Sequence, residues 1–148
     1  LYKGFVAAGT VVPKRNGTAL VTIKPQDFEE FLPIAQKLEK LGYRFLATDG
    51  TARFMEENGI NGVKVVRKIS EGVPNVLDTI RSGMVDLIIN TPNKGNRAAS
   101  DGFKIRRTAA ECSIVLMTSL DTAKALVDVM DSDITNDNVD VIALEDIN

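Results

Sequence analysis

The sequence has no histidine, no tryptophan and a single cysteine among its 148 residues. Without histidine, the side chain most used for proton transfer near neutrality is missing. Serine–histidine triads, cysteine–histidine dyads and histidine-bearing zinc sites disappear with it. The lone Cys112 cannot close an internal disulfide, so nothing requires an oxidising compartment, and the expected location is cytoplasmic. No stretch reaches the ~18–20 continuous apolar residues of a membrane span, and no signal-peptide pattern opens the chain, so no membrane partner is expected. Aromatics make up 5% of the residues, and no dense lysine and arginine stripe interleaves with them, which argues against nucleic acid.

What is present describes an ordinary globular chain, 44% apolar and 26% charged with a formal net charge of −2. That length suits one domain, able to bury roughly 70% of the surface its unfolded chain exposes. The charge is uneven. Residues 121–148 carry eight acids against Lys124, and the remainder carries 17 bases against 12 acids, a net +5. A basic body of this kind can attract a small anion, although solvated surface charge explains it equally. Beginning at Leu1 rather than methionine, the chain reads as a piece of a longer protein. Leu1–Thr10, with Phe5, Val6, Ala7 and Ala8, reads as the end of a helix arriving from a preceding domain. Residues 11–18 read as a linker, so that 1–15 are leader and 16–148 the domain.

From residue 19 onward, short β-branched runs alternate with helical patterns. Strands are expected at 19–23, 44–48, 63–67, 86–90 and 114–118, and 141–144 could add an edge strand. Phe28, Phe31, Leu32, Ala35 and Leu38 recur at helical spacing, with Asp27 and Glu30 suited to a capping box and Gly42 to the helix end. Further helices are expected from Thr51 to Gly59 and through Val73, Val76, Leu77 and Ile80, the latter with Pro74 in its first turn and Gly83 past its end. Two more are expected at 103–112, with Cys112 facing the core, and at 121–130. Single helices between strands imply right-handed βαβ units. The fold class is therefore α/β, a mostly parallel, Rossmann-like five-stranded sheet with helices on both faces.

Ligands of open parallel sheets sit outside the carboxyl ends of the strands. The residues there are Lys24 after the first, Thr48-Asp49-Gly50-Thr51 after the second, and Lys68 after the third. Asn90-Thr91-Pro92-Asn93-Lys94-Gly95-Asn96-Arg97 follow the fourth, and Thr118-Ser119 the fifth. Thr48 and Thr51 offer hydroxyls, Gly50 permits close backbone approach, and a helix beginning at Thr51 would point unpaired amides outward. Lys24, Lys68, Lys94 and Arg97 add positive charge, and Asn90 and Asn93 can read a base edge. Together they suit a phosphate monoester or a small carboxylate. Taken singly, each has a plainer reading: Thr51 a helix cap, Gly50 a turn residue, Lys68 a surface lysine. Arg106 and Arg107 diverge by ~100° on a helix, so one can face the cleft while the other forms a salt bridge. Asp49, Asp86 and Asp101 could act as bases only against a substrate carbon, and Asp86 reads rather as closing a turn before its strand.

These blocks carry a resemblance. Thr48-Asp49-Gly50-Thr51, Lys68-Ile69-Ser70-Glu71-Gly72, Ile89-Asn90-Thr91-Pro92-Asn93-Lys94-Gly95 and Asp101-Gly102-Phe103-Lys104-Ile105-Arg106-Arg107 occur in the order seen in methylglyoxal-synthase-like domains. They are most similar to the C-terminal allosteric domains of carbamoyl phosphate synthase large subunits. The resemblance implies a regulatory module that is not itself a catalyst and carries no cofactor. It would bind UMP, IMP or phosphoribosyl pyrophosphate, or N-acetylglutamate as in animal relatives, and so control carbamoyl phosphate formation for pyrimidine and arginine biosynthesis. It puts phosphate on Thr48, Thr51 and Lys68, and ribose and base near Asn90 and Thr91. It implies a parent ligase that hydrolyses glutamine and uses ATP with Mg or Mn, with two ATP-grasp halves and a glutaminase small subunit as partners. Self-association of the domain, through Leu1–Ala8, is the partner class left open.

The chain departs from the family pattern in places. Phe28 stands where some bacterial relatives carry a phosphate-facing lysine, with Lys24 as the candidate substitute. Leu116 stands where ornithine-activated relatives have tyrosine, so no ornithine response is expected. A methylglyoxal synthase proper would need histidines and an aspartate where Val73 falls, and an IMP cyclohydrolase fits the later blocks less well.

Overall fold

The computed structural model describes residues 16–91 and 96–135, the side chains of 96–98 and 133–135 excepted. The leader, residues 92–95 and the expected edge strand at 141–144 lie outside them. Five strands form one sheet: β1 (Thr18–Thr22), β2 (Arg44–Ala47), β3 (Lys64–Val65), β4 (Leu87–Asn90) and β5 (Val115–Met117). Their order is β3-β2-β1-β4-β5 and every neighbouring pair is parallel. The helices are α1 (Phe28–Lys40), α2 (Asp49–Glu57), α3 (Val76–Arg81), α4 (Asn96–Glu111) and α5 (Leu120–Thr135).

The two-residue period of a strand divides the core between the faces. Ala19, Val21, Phe45, Ala47, Leu87 and Ile89 point to one side, where Phe31, Ala35 and Leu38 of α1, Met55 of α2 and Leu126 and Met130 of α5 cover them. Leu20, Leu46 and Ile88, partners in register across β2, β1 and β4, point to the other side, against Val76 and Ile80 of α3 and Ile105 and Ala109 of α4. Burial on both faces is why β1 and β4 read as unbroken apolar runs. β3 at the edge is exposed along both its residues and shorter than the pattern suggested.

The largest differences from the sequence reading lie at helix ends. Asp27 occupies the N-cap position of α1 but its side chain caps nothing; a 3₁₀ turn over Pro25–Asp27 leads in, and its carboxylate lies 3.8 Å from Lys24 Nζ. α2 begins at Asp49, two residues before Thr51. α3 begins at Val76 rather than around Pro74, because Asn75 accepts the Leu77 amide at 2.9 Å while Asp78 accepts the Asn75 amide at 2.9 Å. Val73 is consequently 76% exposed instead of core-facing. α4 starts seven residues before the expected 103 and ends at Glu111. Past it the backbone turns through Ser113 at φ 56°, which leaves Cys112 exposed rather than in the core. Gly42 ends α1 as expected, at φ 86° with its amide on Glu39 O. Asp86 closes no turn; its Oδ2 accepts the Thr18 amide and its own amide donates to Thr18 O, each at 2.8 Å, tying β1 to β4.

Candidate functional site

From β1 the chain steps outward to β2 and β3, and from β4 it steps the other way to β5, so the order reverses between β1 and β4. At such a switch point the connections leave on opposite faces and open a crevice above the strand ends. A cleft of about 270 Å³ lies there. Its wall includes Thr22, Ile23 and Lys24 after β1, Thr48, Gly50 and Thr51 at the start of α2, Lys68 and Ile69 after β3, and Asn90 and Thr91 after β4.

Seven of the ten expected site residues therefore share one cavity: Lys24, Thr48, Gly50, Thr51, Lys68, Asn90 and Thr91. Asn93 and Lys94, and the side chain of Arg97, lie outside the described residues. The fifth strand end is not brought in. Thr118 and Ser119 are absent from the wall, and Ser119 instead accepts the Thr122 amide at 3.2 Å in the first turn of α5. Neither Arg106 nor Arg107 lines the cleft; both are exposed, and Arg107 Nε lies 3.6 Å from Glu111.

Hydrogen bonds fix the polar floor. The Ile23 amide donates to Thr51 Oγ1 at 3.0 Å, and that hydroxyl lies 3.3 Å from Ile23 O, so Thr51 links α2 to the end of β1. The Lys24 amide donates to Thr91 Oγ1 at 2.9 Å, and the Thr91 amide to Thr22 O at 3.0 Å. Thr22 Oγ1 donates to Asn90 Oδ1 at 2.5 Å, which leaves the Asn90 Nδ2 hydrogens as donors. Thr48, Thr51, Asn90 and Thr91 are buried, whereas Gly50 and Lys68 are exposed and Lys24 is half-buried. A Cβ at Gly50 would meet nothing within 4 Å, so the first turn of α2 is open to an approaching ligand. That turn presents amide donors and the positive end of the helix dipole. Lys68 stands at the rim, its amide held by Glu71 Oε1 at 2.7 Å within a capping box. The arrangement can hold a small anion and direct hydrogen bonds to a polar ring or sugar. Among the described residues no three or more His, Cys, Asp and Glu side chains gather as a metal site.

Other wall residues were not singled out as binding from sequence: Pro25 and Phe28 after β1, Val76 of α3, and Asp101, Gly102 and Ile105 of α4. The early start of α4 is the reason for Asp101 and Gly102, whereas Ile105 lies inside the helix on either reading. A helix beginning at 103 leaves Asp101-Gly102 in a loop, while one beginning at Asn96 carries them in its second turn. The Asp101 carboxylate adds one negative charge to a wall otherwise basic.

The fold has solved counterparts: the crystal structure of ForH superposes with a TM-score of 0.54 over 78% of this chain and 80% of that one, at 16% identity. Residues 30–118 match the MGS-like domain family. The carbamoyl phosphate synthase large chain of Clostridium botulinum strain Langeland is 50% identical over 97% of this chain. That of Clostridium perfringens strain 13 is 47% identical over 97%, and that of Clostridium beijerinckii 49% over 87%. This chain spans only 12–13% of the length of these relatives. A family match across most of the domain and the parallel sheet agree with the order of the motif blocks, and the chain belongs to the MGS-like domain family.

Proposed function

We propose that the cleft binds a small phosphate-bearing effector, a nucleoside monophosphate such as UMP foremost, and that the chain is the regulatory domain of a carbamoyl phosphate synthase large chain. IMP and phosphoribosyl pyrophosphate are the other candidate effectors. The observation that carries this reading is the convergence of Lys24, Thr48, Gly50, Thr51, Lys68, Asn90 and Thr91 on one cavity at the switch point. The phosphate sits against the open first turn of α2, with Lys68 and Lys24 neutralising it. The Asn90 amide and the Asp101 carboxylate serve sugar or base. The cavity is slightly below the ~300–1,000 Å³ common for small-molecule sites, which suits a compact ligand open on one side to solvent.

In the longer protein this module would act on a cytoplasmic ligase that uses glutamine through a small subunit and ATP with Mg or Mn. Effector binding would change how the domain sits on the catalytic part, a coupling typically worth ~1–3 kcal/mol and reciprocal between effector and substrates. The relatives' large-chain name supports this reading. The enzymatic alternative has less: Val73, where a synthase would need its aspartate, is exposed and off the cleft wall.

A melting series on this chain with UMP, IMP, phosphoribosyl pyrophosphate, N-acetylglutamate and inorganic phosphate tests the proposal. A ligand at 100 times its dissociation constant stabilises by ~2.7 kcal/mol, about 5–10 °C at this size. The proposal expects a nucleotide shift well above that of phosphate. No shift with any of the five would overturn it.

A further inference from the structure

One side of α4 is committed to the core and the other is left open. Ile105, Thr108 and Ala109 are buried against the sheet. On the opposite side, Phe103, Arg106, Arg107 and Ala110 follow at the i, i+3, i+4 and i+7 spacing of a single helix stripe. All four are exposed, Phe103 at 55%, and its ring belongs to neither apolar cluster of the core. Lys104 and Arg106 form no ion pair among the described residues. Arg107 lies 3.6 Å from Glu111, an exposed pair of little net worth that another partner can replace. The two sides of the sheet differ in charge. α1, α2 and α5 carry ten acidic and four basic residues, whereas α3 and α4 carry three and five. Those three acids are engaged elsewhere: Asp78 accepts the Asn75 amide at 2.9 Å, Asp101 faces the cleft and Glu111 faces Arg107. An aromatic ring flanked by arginines is the composition of an interface centre.

We propose that the outer stripe of α4, centred on Phe103 and Arg106, docks on an acidic surface of the longer protein to which this domain belongs. The Phe103 ring seats in an apolar pocket of that surface and Lys104 and Arg106 pair with its carboxylates. This rests on the reading of the chain as one domain of a larger chain, and it names the face that the larger chain covers. The chain spans only 12–13% of the length of its relatives, so most of that length lies outside it. A partner on the same polypeptide acts at an effective concentration on the order of millimolar. A second copy would instead set its acidic side against this basic one, a head-to-tail contact that runs on into rings or filaments. Asp101, Gly102 and Ile105 of the same helix line the cleft, so a ligand and the docked surface meet opposite sides of α4.

Hydroxyl-radical footprinting of the isolated 148-residue chain and of the full-length protein that carries it reads the ring directly. Phe103 should label readily in the isolated chain and at least about fivefold more slowly in the full-length protein, as for a side chain at the dry centre of an interface. Arg106→Glu, exposed and outside the cleft wall, should restore fast labelling of Phe103 in the full-length protein. In the isolated chain the same substitution should shift melting by no more than about 2 °C, as for a surface change. Equal labelling of Phe103 in the two proteins, or labelling in the full-length protein that Arg106→Glu leaves unchanged, would overturn the proposal. Protection of the isolated chain that grows with its concentration would assign the stripe to a second copy and also overturn it. The labelling is read without any effector, so its failure leaves the cleft reading standing, and a failure of UMP to bind the isolated chain strikes the cleft reading alone.

Discussion

Thr51 shows how one residue can answer to both fold and site. Its hydroxyl accepts the Ile23 amide at 3.0 Å and reaches Ile23 O at 3.3 Å, in a position only 2% exposed. Thr51→Val keeps the shape and leaves the Ile23 amide unpaired, so unfolding free energy should fall by about 1–3 kcal/mol in a denaturant titration, with Thr51→Ser close to wild type. A ligand effect at Thr51 therefore has to be separated from a folding effect, which is not so for exposed Lys68. At this scale much of the cleft's polar wall was legible, because the strand-end rule selects Lys24, Thr48, Gly50, Lys68, Asn90 and Thr91 without any contact information, while its apolar wall was not. The pairing of Thr51 with β1 was not legible, since it joins positions 28 apart in the sequence. Nor was the exposure of Cys112, which depends on where α4 stops.

Elements were found where their periodicity is strong and misplaced where backbone turns set their ends. β1, β2, β4 and α1 follow from β-branched runs and an apolar stripe. The start of α3 follows instead from a side-chain cap that competes with Pro74 for the role of first signal. Asn75 is 8% exposed, accepts the Leu77 amide and donates through Nδ2 to Gly72 O at 2.9 Å. For a helix of six residues that cap is a large share of its definition. Asn75→Ala should cost about 0.5–2 kcal/mol and speed amide exchange in 76–81 more than in α1. Because Val76 lines the cleft, the same substitution should weaken any ligand bound there.

Across the whole molecule, the uneven charge resolves partly into contacts between helices. Lys37 of α1 bonds to Asp128 of α5, and Lys40 lies 3.6 Å from Asp131, so part of the acidic C-terminal excess neutralises lysines of the basic body. The hydrogen bond to Asp128 holds the Lys37 ammonium above its usual range of 10.5. Burial pushes the Tyr43 phenol above its usual 10.0, and the Asp86 charge adds to it. Both groups keep their protons to higher pH in the folded chain than in the unfolded one. Their contribution is therefore complete below pH ~10 and is lost as pH rises through the raised values. Melting temperatures measured from pH 8 to 11.5 should fall above pH ~10, and Tyr43→Phe should flatten that fall. The fold class was legible at this scale, since five strands alternating with single helices imply parallel βαβ units, whereas the strand order β3-β2-β1-β4-β5 is fixed by pairings between distant segments that the sequence pattern does not specify.

Calorimetric titration of UMP into the 148-residue chain and its Lys68→Ala variant tests the central claim most directly. On the proposed reading the exposed Lys68 ammonium at the rim serves binding rather than folding, so wild type should take up one UMP per chain. The variant should melt within about 1 °C of wild type and bind at least tenfold more weakly, as expected when a charge-assisted hydrogen bond of ~1.5–3 kcal/mol is removed. No saturable heat with wild type, or equal affinity in the two proteins, would contradict the account.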